Sequence, residues 1–159
     1  MNSYTVIRAT SEHLDDIVNF EMIKGMELEN LSYDRDVIVK SINEFMNPVL
    51  KKGEMPLGYC LLALNEKKEA VGTIWVMHQL DARLGGLAYL IWKVFVVEEY
   101  RCKGVFRVLW DHVSDIAKKD EHAKEIRMYV LDYNDTAWNV YERYGCEKKD
   151  WSFSLKEFE

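Results

Sequence analysis

The chain is poor in the residues that punctuate or staple a fold. Its 159 residues include only two prolines, Pro48 and Pro56, and no Pro/Gly/Ser-rich linker, repeat or low-complexity tract. Nothing marks an internal boundary, so a single domain over residues 1–159 is expected, long enough to bury a core without staples. The three cysteines, Cys60, Cys102 and Cys146, are odd in number and form no Cys-x-x-Cys pair. They suit reduced thiols in a reducing compartment better than a disulfide framework. The four histidines share no metal-ligand spacing with them, so no metal is expected. Long apolar runs are missing too: Lys93 interrupts the longest, far short of the ~20 residues a membrane-spanning helix needs. No apolar block follows a basic start, so no secretory signal is visible and a cytoplasmic protein is expected. Positive charge is also scarce, with 21 Lys and Arg against 27 Asp and Glu and a net charge of -6. No basic run is dense enough to bind phosphate chains by counterion release, which disfavours nucleic acid as a partner.

What is present is a sequence of clear periodicities. Residues 4–8 read as a short strand, after which Thr10 or Ser11 caps a helix with Leu14, Ile17, Val18 and Met22 on its apolar stripe. A second helix follows Asp34, carries Ile38, Ile42, Phe45 and Met46 on one face, and stops before Pro48. Residues 57–64 and 70–78 form an antiparallel hairpin across the charged turn 65–69, and 87–97 continue as a third strand. From Val105 the period turns helical, with Val105, Leu109, Val113 and Ile116 on one face and Lys118 and Lys119 at the C-terminal end. A strand over 125–131 follows. Asn134 or Asp135 then caps a helix bearing Ala137, Val140, Tyr141 and Tyr144, stopped by Gly145. The tail 150–158 alternates with period two, as a half-buried strand does. The order βααβββαβαβ predicts an α/β fold on a mixed sheet. Its βαβ crossover puts the loop after strand 87–97 where such sheets tend to bind ligands.

That loop, 98–106, delivers a strand to a helix N-terminus. Backbone N–H groups and the positive end of the helix dipole gather there, and Gly104 lacks the Cβ that would hold a phosphate away from the backbone. Arg101, Lys103 and Arg107 add charge. A lone glycine before a helix is, on spacing alone, equally a plain cap.

The segment "VFVVEEYRCKGVF" resembles the coenzyme A pyrophosphate loop of the GNAT N-acetyltransferase superfamily, matching its Arg/Gln-x-x-Gly-x-Gly/Ala pattern at Arg101 and Gly104. "NDTAWNVYERYGC" resembles the second signature of that family, Asn-x-x-Ala-x-x-x-Tyr-x-x-x-Gly, at Asn134, Ala137, Tyr141 and Gly145. Phe106 stands at the second small position and Cys102 where glycine is frequent, so Phe106 is expected to point into the core beneath the loop.

The resemblance implies a GNAT acyltransferase fold whose sheet splays into a V, and a reaction with acetyl-CoA and no metal. It implies coenzyme contacts at Val94, Phe95 and Val96, at Arg101, Cys102, Lys103, Gly104, Val105, Phe106 and Arg107, and at Asn134, Ala137 and Tyr141. Tyr141 would protonate the departing thiolate, since a thiol near pKa 8.5 and a phenol near 10 lie close enough for transfer, although helix core is its plainer reading without the motif. Glu27 and Glu29, after the first helix, are candidates for the base and for acceptor binding, with solvated surface as the alternative, and Trp92 is a candidate acceptor contact. The partner implied is a small-molecule or peptidic amine, and a homodimer stays open. An acyl-CoA sensor, or a GNAT fold serving a protein partner, is the alternative to an enzyme.

Overall fold

Apolar runs rich in β-branched and aromatic residues form four antiparallel strands, β1 (Thr5–Arg8), β2 (Gly58–Leu64), β3 (Ala70–Asp81) and β4 (Gly86–Val96). A fifth strand, β5 (Ala123–Met128), lies parallel to β4, and the sheet order is β1-β2-β3-β4-β5. The computed structural model describes residues 3–52 and 54–149, with Leu28 and Glu29 in backbone only. The chain divides into two compact units, one up to Met128 and one from Tyr129.

In the first unit the middle strands are buried on both faces, which explains why β2 reads as a continuous apolar run rather than an alternation. One face packs on α1 (Leu14–Lys24) and α2 (Arg35–Met46): Ile17, Val18, Phe20 and Ile42 close over Cys60, Leu62, Trp75 and Phe95. The other face packs on α3 (Val105–Lys119), whose buried stripe is Val105, Leu109, Trp110 and Val113. The helix starts follow from the sequence. Asp34 caps α2 by accepting from the N–H groups of Asp36 (2.9 Å) and Val37 (3.4 Å). The first helix opens as a 3-10 turn, Ser11–His13, before becoming α1.

Several expectations are corrected. After α1 the chain runs on as a π-helical turn, Gly25–Glu29, which ends at Asn30 in the left-handed region (φ 52°). Gly25 makes this turn possible, since a methyl group there would strike the Tyr33 ring. Strand β3 extends to Asp81, beyond the expected 78. Strand β5 starts earlier and stops at Met128 rather than 131, because its parallel pairing ends at Ile91↔Met128. Residues 92–96 of β4 therefore run on past the last pair with β5.

In the second unit, α4 (Asp135–Glu142) is capped by Asn134, whose Oδ1 accepts from the Ala137 N–H at 3.1 Å. Gly145, at φ 80°, closes its end, its N–H donating to the Glu142 carbonyl at 3.0 Å. The tail strand expected over 150–158 lies outside the described residues. Among the described residues no helix is long and apolar enough to cross a membrane.

Candidate active site

Strand β4 carries one residue too many for its partner. Trp75 pairs with Lys93 but Val76 pairs with Ile91, so Trp92 is the extra residue of a β-bulge. The bulge resets the alternation: Lys93 and Phe95 face α1 and α2, while Val94 and Val96 face α3. Gly72, opposite Val96, has its bare Cα against Val105, the first residue of α3. This close approach ties the helix start to the end of β4.

Between the two lies a 3-10 turn, Glu98–Tyr100, and then a tight turn in which Cys102 (φ 59°) and Gly104 (φ 90°) are both left-handed. Gly104 is required by its φ and not by crowding, since a Cβ there would meet nothing within 4 Å. The space over the turn is open to a ligand. The N–H groups of the first turn of α3 have no acceptor within the helix and lie at its positive end, next to exposed Lys103 and Arg107. Phe106 is half-buried, its ring 5.9 Å from that of Trp110.

Cys102 is exposed, and a side chain in the left-handed region costs about 1 kcal/mol. Cys102→Gly is therefore expected to stabilise the protein by at most about 0.6 kcal/mol, since the added freedom of the unfolded glycine takes back about 0.4–1 kcal/mol of the strain relieved. Urea denaturation checks this; a lowered midpoint contradicts it.

Arg101 turns back across the end of β4. Its Nε donates to the Val96 carbonyl (3.0 Å), its Nη2 to Glu27 Oε2 (2.6 Å), and its guanidinium lies 6.0 Å from the Phe95 ring. Three residues expected in separate roles, Val96 on the pantetheine strand, Arg101 in the pyrophosphate loop and Glu27 as base, form one strap from the π turn to β4. The Glu27 carboxylate is partly exposed and ion-paired. The side chain of Glu29 lies outside the described residues.

On the same side of β4, Lys93 is ion-paired with Glu21 of α1 and stands 5.4 Å from the Trp75 ring. The Glu21 side chain is only 3% exposed and that of Lys93 26%. Glu21 Oε2 accepts from Lys93, while Oε1 is buried without a partner. Beside this pair is a cavity of about 360 Å³ lined by Glu21, Lys24, Tyr33, Ile38, Trp92 and Lys93. Trp92, the candidate acceptor contact of the sequence, lies on this wall; Glu21 and Lys93 were not singled out as a pair. The signal was there, an acid four residues after Ile17 on the apolar stripe of α1 and a lone base inside an apolar strand.

In the second unit, Tyr141 is half-buried on α4, one turn after Ala137. Burial chiefly, and then nearby Cys146, pushes its phenol pKa above the ordinary value, so it keeps its proton at neutral pH. Asn134 is engaged in capping this helix, so the Asn-x-x-Ala spacing of the signature is the spacing from a cap to the N–H it satisfies. Among the described residues no group of three or more His, Cys, Asp or Glu is placed to hold a metal ion.

Residues 26–146, from the π turn to the cysteine after Gly145, match the model of the acetyltransferase (GNAT) family. The chain belongs to that family. The matched GNAT stretch contains both signatures and covers most of the chain. Its fold is shared with a possible acetyltransferase from Clostridium difficile 630, at TM-score 0.84 and 24% identity, covering 98% of this chain and 97% of that one. An aminoglycoside N-acetyltransferase AAC(6')-Iy, solved in complex with CoA, superposes at TM-score 0.77 and 14% identity over 99% and 96% of the two chains. A ribosomal-protein-alanine N-acetyltransferase from Brucella melitensis biovar Abortus 2308 does so at 0.76 and 15% over 98% and 100%. No curated protein matches the GNAT chain in sequence. GNAT membership supports acyl transfer as the general activity.

Proposed function

We propose that the protein is a cytoplasmic N-acetyltransferase that moves an acetyl group from acetyl-CoA to a primary amine of a small molecule or peptide, residues 1–159 acting as one domain. The observation that carries this reading is the left-handed turn at Cys102 and Gly104, open on its outer side, feeding the N-terminus of a helix anchored beside the end of β4. It fits a pyrophosphate: N–H donors and a positive helix end meet at unobstructed backbone, and the exposed cations Lys103 and Arg107 flank it in sequence. Arg101 acts there through its grip on Val96 and Glu27, holding the end of β4 and the π turn in place.

Acetyl-CoA supplies the activated acyl group, and this chain supplies binding and proton transfer. Val94, Phe95 and Val96 would offer backbone groups to the pantetheine arm, the loop 101–107 would hold the pyrophosphate, and Asn134 and Ala137 would position α4. Tyr141, kept protonated by burial, would give its proton to the leaving thiolate. Glu27 is the candidate to receive the amine's proton, directly or through water, with Glu29 beside it in sequence. A direct attack in a ternary complex needs no acetyl-cysteine.

Gly104→Glu tests the assignment. The added carboxylate repels phosphate, the side chain is disfavoured at φ 90°, and the new Cβ occupies the open backbone. Acetyl-CoA affinity measured by calorimetry is expected to fall at least about 100-fold, of the order of losing a charge-assisted contact and adding a repulsion. An unchanged affinity puts the site elsewhere.

A further inference from the structure

The π turn after α1 buries little of its own surface. Met26, Asn30, Leu31 and Ser32 are exposed, and the backbone closes where the Gly25 carbonyl accepts from the N–H groups of Asn30 and of Leu31, the latter at 3.0 Å. A segment of this kind opens at small cost, because few buried contacts are lost. Two contacts tie it to the rest of the first unit. The Tyr33 ring lies over the bare Cα of Gly25, and Tyr33 also lines the cavity beside β4, so the turn and the cavity wall share one side chain. The second contact is Glu27 Oε2, which accepts from Arg101 Nη2 at 2.6 Å.

Arg101 is the residue before the left-handed turn at Cys102 and Gly104, and its Nε is committed to the Val96 carbonyl. A guanidinium is planar, so with Nε on Val96 the reach of Nη2 to Glu27 follows the position of the loop backbone. The two side chains are 43% and 35% exposed. Such a pair gains little in water, since ordering two long side chains offsets most of its attraction. A ligand that fixes the loop fixes the arm and lowers that ordering cost. We infer that Arg101 and Glu27 couple the two substrate sites: coenzyme held by the loop 101–107 strengthens the pair, and the pair orders the π turn and with it the Tyr33 wall of the cavity. This rests on the acetyltransferase reading above and adds how its two sites communicate. Both residues act here as positioning residues. Coupling is reciprocal, so an amine that orders the turn tightens the coenzyme by the same factor.

The test is hydrogen–deuterium exchange read by mass spectrometry on the whole protein, with and without saturating CoA, over peptides covering 24–31 and 101–107. CoA is expected to slow exchange in both, and over 24–31 by about threefold to fivefold, the limit an exposed pair sets. Glu27→Met keeps an unbranched side chain suited to a helix but offers Arg101 no acceptor. In that variant CoA is expected to protect 101–107 as before and to leave 24–31 unmoved. Raising salt to about 0.5 M on the wild type, with CoA kept saturating, is expected to reduce the protection of 24–31 without any substitution, because an exposed pair is screened. Unchanged exchange over 24–31 in the wild type, faster exchange there as phosphate draws Arg101 off Glu27, or protection undiminished by either change overturns the inference. The two readings fail separately. With 101–107 unprotected the coenzyme reading falls and takes the coupling with it, while 101–107 protected and 24–31 unmoved removes the coupling alone.

Discussion

Tyr141→Phe is expected to lower kcat by about 100-fold to 10,000-fold while leaving the acetyl-CoA dissociation constant nearly level. Phenylalanine keeps the ring and its packing on α4 and removes only the proton. The loss is confined to a step in which negative charge develops on sulfur, so it falls on kcat and not on binding. The raised pKa acts in two directions. It keeps the phenol protonated, so no alkaline limb in kcat from Tyr141 is expected below about pH 10; it also makes proton release less favourable, each unit of mismatch costing about 1.4 kcal/mol. The measurement is single-turnover thiol release with an acceptor found by screening amines, alongside calorimetry. If Tyr141 serves only as packing, the variant loses a little thermal stability and turns over normally. A full single-turnover rate in folded Tyr141→Phe gives the proton source to water.

The second large effect concerns stability. Lys93→Met is expected to cost about 3–5 kcal/mol, because it leaves the Glu21 carboxylate without its counter-ion in a site that is 3% exposed. Glu21 Oε1 already lacks a partner, so losing the ammonium removes the one donor recorded for this carboxylate. Replacing both members, Glu21→Leu with Lys93→Met, is expected to recover most of the loss, since a buried ion pair exchanged for apolar groups of similar size is often neutral. Guanidinium denaturation of wild type, both single variants and the double variant completes the cycle. If Lys93→Met alone is neutral, the pair contributes nothing to holding α1 on β4.

Features set by nearby residues were legible. Asp34 and Asn134 cap helices because a short acceptor side chain two or three residues before free N–H groups is a local device, and the α3 stripe is read from spacing alone. Features that join distant parts of the chain were not. The Lys93–Glu21 hydrogen bond spans 72 residues and the Arg101–Glu27 one spans 74, and single charges carry no mark of their partner. The π turn escaped because it depends on Tyr33 folding over Gly25, and the end of β5 because it is set by where β4 stops offering pairs. The motif located residues 102–107 at a strand-to-helix junction, while the contacts of Arg101 with Val96 and Glu27 reach outside the motif and carry no mark in it.

The bulge at Trp92 has a consequence for how this protein can change. The extra residue of the bulge has no partner across the ladder, and Trp92 is half exposed where Ile91 and Phe95 are buried, so fewer neighbours hold its side chain. Position 92 is thus a point of low constraint set into a wall of high constraint. A library randomised there samples new cavity shapes at little expense in folding, whereas the same library at 91 or 95 is mostly lost to misfolding. Drift at that single codon reshapes the cavity beside Lys93 without passing through an unstable intermediate.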